Sequence, residues 1–287
     1  MGRRFKAEDE SALLNRLSYD YYFNRLKEVA LSVFTWEGLP DTVDERFLEW
    51  VLFHDGFCLF FLDEVVGYQT LQTEISGKLN NYRIPIRRRA YAPNGYKAWR
   101  DNKNSVIVFN NLIHTNMVGY VKYFARKLYM CDRSFDVNLK AQRTPIMLQG
   151  PESSRLTLEN LWLKYDGNQP VILVSDKFDL SQIKVLNTNV PYTADKIYNS
   201  KLQIWNEAME FLGVPNVNPV KKERLISDEV TGSLGATVTS GLTRLKARQQ
   251  AAAEINRMFG LNISVRYSDG LTSVLEAEPQ EGGSDNE

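Results

Sequence analysis

Two helical periods separated by a strand-forming insert constrain this chain more than any other feature. Residues 114–139 place Val118, Val121, Phe124, Ala125, Leu128 and Tyr129 on one side, and helix resumes over residues 193–212 until Gly213 stops it. Between them, residues 144–148 read as a strand, 157–165 as a short helix capped by Thr157, and 170–174 as a second strand, before Val185 leads on to Pro191-Tyr192. A strand-helix-strand module set between two long helices sits at one end of a helical hairpin.

The parts before and after this hairpin have different textures. Residues 11–36 carry Leu13, Leu14, Leu17, Tyr21, Leu26, Val29, Ala30 and Val33 at helical spacing, which predicts one long helix ending at Gly38-Leu39-Pro40. A second helix is predicted over residues 45–54, with Phe47, Trp50 and Val51 on one face. From Gly56 the residues turn β-branched and aromatic, and strands over 57–62, 65–73, 82–90 and 106–110 predict a small antiparallel sheet packed on the two helices. The fold class expected is mainly α with β-containing modules, α+β.

Beyond Gly213 a polar segment runs to Val230. Residues 231–241, in which Gly232, Gly235 and Gly241 stand among Ser and Thr, read as a mobile loop with little to bury. A helix over 242–259 follows, with Ala251, Ala252, Ile255 and Met258, and Ile263 to Tyr267 read as a closing strand. From Glu276 on there are five acidic residues and no basic one, a composition expected to be disordered.

Several function classes are excluded by what the chain lacks. Thirty-five basic and 35 acidic residues cancel, so any nucleic-acid contact has to be local. The longest apolar run is residues 57–62, too short for a bilayer, and the amino-terminal Arg3, Arg4 and Lys6 precede acids where a signal peptide would be apolar, so the chain is expected to stay in the cytosol where it is made. Cys58 and Cys131 lack metal or redox spacing and read as buried small hydrophobes. Gly77-Lys78 is no phosphate cradle, and His54 and His114 have neither metal-ligand spacing nor a triad partner. No cofactor, metal or catalytic residue is expected, and the chain does not read as an enzyme.

One window is strongly basic. Arg83, Arg87, Arg88, Arg89, Lys97, Arg100 and Lys103 are opposed within it by Asp101 alone and interleaved with Tyr82, Tyr91, Tyr96 and Trp99. Such a window is either an edge strand protected by charge or an anion-facing surface. Arg87, Arg88 and Arg89 are the candidate nucleic-acid or capsid contacts.

Several motifs together resemble one family. They are Phe34-Thr-Trp-Glu-Gly-Leu-Pro40, Ala141-Gln-Arg-Thr-Pro-Ile146, Tyr165-Asp-Gly-Asn-Gln-Pro-Val-Ile172 and Pro191-Tyr-Thr-Ala-Asp-Lys196, followed by Trp205-Asn-Glu-Ala-Met-Glu-Phe-Leu-Gly213, Lys221-Lys-Glu-Arg224 with Asp228-Glu-Val230, and Ile255-Asn-Arg-Met-Phe-Gly-Leu-Asn-Ile-Ser-Val265. In sequence and order they are similar to the head-tail connector (portal, or upper collar) family of small short-tailed phages with protein-primed linear DNA. The resemblance spans about residues 14–267, strongest from Ala141 on.

The resemblance implies a portal-type subunit: an amino-terminal wing (1–111), a stem helix (112–139), a clip (140–191), a second stem helix (192–213), a connection and channel loop (214–241), a carboxy-terminal wing helix and strand (242–270) and an acidic tail (271–287). It implies a dodecameric ring at one capsid vertex and virion localisation at the head-tail junction. The partners it implies are double-stranded viral DNA, the major capsid protein, the packaging ATPase and a lower collar or tail protein. Arg3, Arg4 and Lys6 would be the place for a packaging RNA of the kind some relatives carry.

Lys196 matches a channel-facing lysine of the family. The family's second lysine falls on Asn187, with Lys184 close enough to substitute. Thr231, Gly232, Gly235, Thr239 and Gly241, with Arg244 and Lys246 just beyond, take the place of the channel loop. The rival reading is a non-catalytic nucleic-acid-binding protein that uses the patch from Arg83 to Lys103.

Overall fold

The computed structural model describes residues 2–75, 77–143, 146–149, 184–187, 191–214 and 227–269. In chain order these form α1 (Gly2–Leu31), β1 (Phe34–Glu37), α2 (Glu45–Asp55), β2 (Phe57–Asp63), β3 (Gly67–Ile75), β4 (Arg87–Tyr91), β5 (Lys97–Asp101), β6 (Ser105–Phe109) and α3 (Val118–Arg143). There follow β7 (Ile146–Gln149), β8 (Lys184–Asn187), α4 (Ala194–Leu212), α5 (Ser227–Phe259) and β9 (Ser264–Tyr267). The chain divides into two compact units, residues 1–130 with 201–287 and residues 131–200. The expected short helix at 157–165, the strand at 170–174 and the acidic tail lie outside the described residues.

In the larger unit one core lies where α1, α3 and α4 meet. Tyr22, Leu26 and Ala30 of α1, Val121, Ala125 and Leu128 of α3, and Ala208, Met209 and Leu212 of α4 are all buried there. The apolar period read from the sequence is this face, because residues three and four apart share one side of a helix. Gly213 closes α4 at φ +74°.

A second core joins α2, the sheet and α5. The sheet order is β5-β4-β3-β2-β6, antiparallel throughout. Its strand β2 is buried on both sides: Cys58 and Phe60 enter the core with Val51, Leu52 and Ile255, while Leu59 and Phe61 join Ala90 and Ile107 on the opposite face. Successive side chains alternate across a sheet, so a strand covered on both faces has to read as a continuous apolar run. Burial also pushes the Cys58 thiol well above its ordinary range, so it stays an inert hydrophobe. Cys131, expected to be buried too, is half-exposed.

Four elements depart from the sequence expectation, one of them the unpredicted strand β8 (Lys184–Asn187). The first helix stops at Leu31, where Ser32 donates its N–H to Glu28 and Val29, and residues 34–37 form β1 against β9 with Trp36 opposite Val265. Gly38, at φ +71°, follows because a Cβ there would run into the backbone carbonyl of Asn262. The strand β5 is not predicted by the sequence, three of the five residues in Lys-Ala-Trp-Arg-Asp being charged. Residues 231–241 are helical, inside α5. Helix costs about 1 kcal/mol at each glycine relative to alanine, but the Ala-, Gln- and Arg-rich turns downstream supply the nucleus on which it propagates.

A buried ionic network ties the larger unit together. Arg248, fully buried, donates from Nε and Nη2 to the two carboxylate oxygens of Glu49, both at 2.7 Å, and from Nη1 to the Asn110 carbonyl at 2.8 Å. Trp36 Nε1 donates to the same carboxylate at 2.9 Å. Burial alone would raise the Glu49 carboxyl, but the Arg248 charge, its hydrogen bonds and that of Trp36 outweigh burial and hold it below the carboxylate range.

These shifts predict how the fold responds to acid. Desolvation pulls the imidazoles of His54, lodged against Trp50, and of His114, stacked on Phe109, below their ordinary value. From about pH 6.5 downward the unfolded chain therefore binds more protons than the folded one, and stability falls as pH falls. Glu49 contributes stability above its unfolded value that is lost only as pH drops through its lower folded value. Thermal unfolding midpoints followed from pH 8 to pH 3 should decline in two stages. A His54→Gln, His114→Asn variant should lose the first stage and keep the second; a single stage in the parent protein would contradict the assignment.

Candidate functional site

The smaller unit is organised at the foot of α4. Asn138, buried on α3, accepts from the Thr193 N–H at 3.0 Å and donates to the Pro191 carbonyl at 2.9 Å. Its side chain thus fixes the chain just before α4, whose first hydrogen bond runs from Ile197 N to Thr193 O. One amide satisfies both a donor and an acceptor at a helix entrance. Sequence reasoning missed Asn138; a lone Asn between exposed Val137 and Leu139 carries no signal of its partners.

Lys196 sits on the first turn of α4, exposed to solvent. Its neighbour Asp195 is engaged by the Tyr192 hydroxyl at 3.2 Å, which raises that phenol above its ordinary value. Lys184 and Asn187 lie on β8, opposite Gln149 and Ile146 of β7. These three residues belong to the smaller unit, and the remaining candidates belong to the larger one.

Thr231, Gly232, Gly235 and Thr239 fall within α5 and not in a loop. Gly241, at the end of that stretch, is buried, and a Cβ there would strike the Tyr267 hydroxyl. Its small size is therefore a packing requirement. Lys246 is exposed, but Arg244 is buried and donates to the carbonyls of Leu212 at 3.0 Å and Ala30 at 3.2 Å. It joins the ends of α1 and α4 to α5, which removes it from any solvent-facing role.

Ion pairs within the sheet neutralise part of the basic window. Register places Glu74 opposite Arg89, which it pairs at 2.6 Å, and Asp101 opposite Arg87. Arg100 pairs with Asp63 at 3.3 Å, Arg88 is buried and donates to Ser105, and Arg87 lies over the Trp99 ring at 4.7 Å. Asp101 is thus not the window's sole counter-charge. The other acids come from strands distant in sequence. Of the Arg87-Arg88-Arg89 run only Arg87 is exposed, and Arg83, Lys97 and Lys103 of the same window are exposed with it.

Among the described residues no group of three His, Cys, Asp or Glu side chains is placed to hold a metal, and no helix is long and apolar enough to cross a membrane. Long helices and antiparallel sheets make this an α+β chain. A chain in the solved "Portal and tail of native bacteriophage P68" superimposes with a TM-score of 0.50 at 17% identity, over 96% of each chain. A portal protein of the HK97 family from Corynebacterium diphtheriae aligns with a TM-score of 0.44 at 12% identity, over 91% of this chain and 95% of that one. The model of the family described as Phage Connector (GP10) matches residues 6–272, and the chain belongs to that family of bacteriophage head-tail connectors.

Proposed function

We propose that twelve copies of this chain close into a ring at one capsid vertex, through which double-stranded viral DNA is packaged and later ejected. The match to the connector family over residues 6–272 carries this reading. The ring is the attachment point for the major capsid protein, the packaging ATPase and the lower collar or tail protein, and it takes no part in covalent chemistry. In the finished particle it stands at the head-tail junction, after synthesis in the host cytoplasm.

The electrostatics suit a conduit. In a closed ring one lysine per chain becomes a belt, so Lys196 forms a charged belt in the channel lining, with Lys184 on β8 standing in for the family's second lysine, whose place the neutral Asn187 takes. A net charge of zero over the whole chain keeps that lining sparse. Sparse charge matters because each phosphate neutralised adds salt-dependent binding that slows a sliding polyanion.

Native mass spectrometry of the purified protein, freed of nucleic acid, tests the ring: a closed assembly of twelve is expected, and a monomer or dimer at micromolar concentration would overturn it. Lys196→Glu should leave that assembly intact and reduce the DNA packaged per particle. Packaging equal to the parent at low and high salt would remove Lys196 from the lining.

A further inference from the structure

Strand register gathers the exposed part of the basic window on one face of the five-stranded sheet. Arg87, Arg89 and Tyr91 of β4 stand opposite Asp101, Trp99 and Lys97 of β5. Side chains alternate across a strand, and Arg88 and Ala90 are buried on the other side, so these six share the outer face. The edge strand is β5. Trp99 is 51% exposed there, with the guanidinium groups of Arg87 and Arg89 at 4.7 and 5.8 Å from its ring centre.

One end of this face carries an ordered tip. The β3–β4 loop and the β5–β6 turn lie at the same end of the sheet, so Lys78, Tyr82, Arg83 and Lys103 are all at the Arg87 end. Asn80 holds the tip. Its Oδ1 accepts from the N–H groups of Tyr82 and Ile84, both at 2.9 Å, while its own N–H donates to the Ile84 carbonyl and its carbonyl accepts from Arg83. These bonds keep Arg83 at φ +60°, a conformation that costs a residue other than glycine, and leave Tyr82 82% exposed.

The charges of this face do not cancel. Glu74 is engaged by Arg89, and the Asp101 carboxylate accepts from the Lys103 N–H at 2.8 Å. Arg83, Arg87, Lys97 and Lys103 are exposed and have no ion-pair partner among the described residues. Addition of a further strand is obstructed, because the Trp99 carbonyl accepts from Arg100 Nη1 at 3.0 Å and the Asp101 N–H donates to Asn104 at 2.8 Å. Recognition at this edge is left to the side chains, a ring among cations.

We infer that this face binds single-stranded nucleic acid, with a base stacked on Trp99 and the phosphates held by Arg87, Lys97 and the Arg83 tip. An aromatic ring stacks on any base while cations follow the backbone, which is how single strands are held without regard to sequence. In a duplex the faces of the bases are already stacked on one another, so a half-exposed indole selects an unpaired strand. The site lies in the larger unit and Lys196 in the smaller, so it does not depend on the channel reading.

Fluorescence polarisation of labelled oligothymidylate and oligouridylate on the full chain tests the site, with native mass spectrometry of each variant as the control for assembly. Both strands should bind more tightly than the same oligothymidylate annealed to its complement, and whichever binds better identifies the strand as DNA or RNA. Trp99→Ala should weaken binding about tenfold, the worth of one stacked base. Trp99→Phe, which keeps a ring, should retain most of the affinity. Arg87→Ala with Lys97→Ala should weaken binding and flatten its dependence on salt. Duplex bound as tightly as single strand, or Trp99→Ala binding like the parent, would overturn the site. An affinity lost with Lys196→Glu and kept with Trp99→Ala would put the strand in the channel and overturn it equally.

Discussion

Replacing Arg248 by methionine is expected to destabilise the folded chain by about 3–5 kcal/mol, the usual cost of removing one partner of a buried ion pair. The guanidinium is 1% exposed and meets a carboxylate that is 3% exposed, so water cannot replace it. Its loss strands the Glu49 charge beside Trp36 and leaves the Asn110 carbonyl without its donor. Arg244 is the nearest remaining cation in the network, but both of its terminal nitrogens are held by Leu212 and Ala30. Urea unfolding should show a lower midpoint with an unchanged slope.

A Glu49→Leu, Arg248→Met double variant separates charge from packing. It removes the stranded carboxylate and should recover part of the loss. Recovery will be incomplete because Trp36 Nε1 and the Asn110 oxygens then lose their bonds to the pair, each worth about 1–3 kcal/mol when buried. Arg248→Lys should fall between, since an ammonium cannot bridge both carboxylate oxygens as the planar fork does. A loss below about 1 kcal/mol for Arg248→Met would show that the network is not a source of stability.

Deleting residues 231–240 is expected to leave ring assembly and DNA packaging intact while most filled particles lose their DNA. The deletion removes Gly232 and Gly235 from α5 but spares its anchored part, where Gly241 packs against Tyr267 and Leu245, Ala251, Ala252 and Ile255 enter the core. Because the packing of residues 241–259 is spared, ring assembly should survive. Residues 231–240 carry no charge, so any hold they exert on DNA is steric. Counting filled and empty particles after purification, alongside DNA protected at the end of packaging, gives the readout. Loss of the ring itself, or full retention of DNA, would rule out a role for residues 231–240 in holding packaged DNA against backward slippage.

Much of the fold was legible because periodicity reports burial directly. The α3 face of Val121, Ala125 and Leu128, the doubly covered run of β2 and the stop at Gly213 all followed from spacing and residue type. The boundaries that slipped did so where tertiary pairing decided the matter. Residues 34–37 continue an apolar helical pattern, yet they become a strand because β9 offers them partners some 230 positions away. The stretch 231–241 has loop composition, yet it joins a helix nucleated downstream.

The candidate site divides in the same way. Lys196 is on the surface, as a channel lysine has to be, whereas Arg244 and Arg88 were read as available charges and are buried. A signal for Arg244 and Arg248 did exist in the sequence: they stand at helical spacing with Ala251, Ala252 and Ile255, on the apolar stripe of α5 and not opposite it. Their partners left no such trace. Glu49 lies 199 residues from Arg248, and Glu74 reaches Arg89 only through strand register. By itself the sequence determined the helices, the central strands and the family, because each is written in local period or motif. Which charges face water and which are spent holding the fold was decided by the tertiary structure, because a charge is neutralised by neighbours in space and these come from distant parts of the chain.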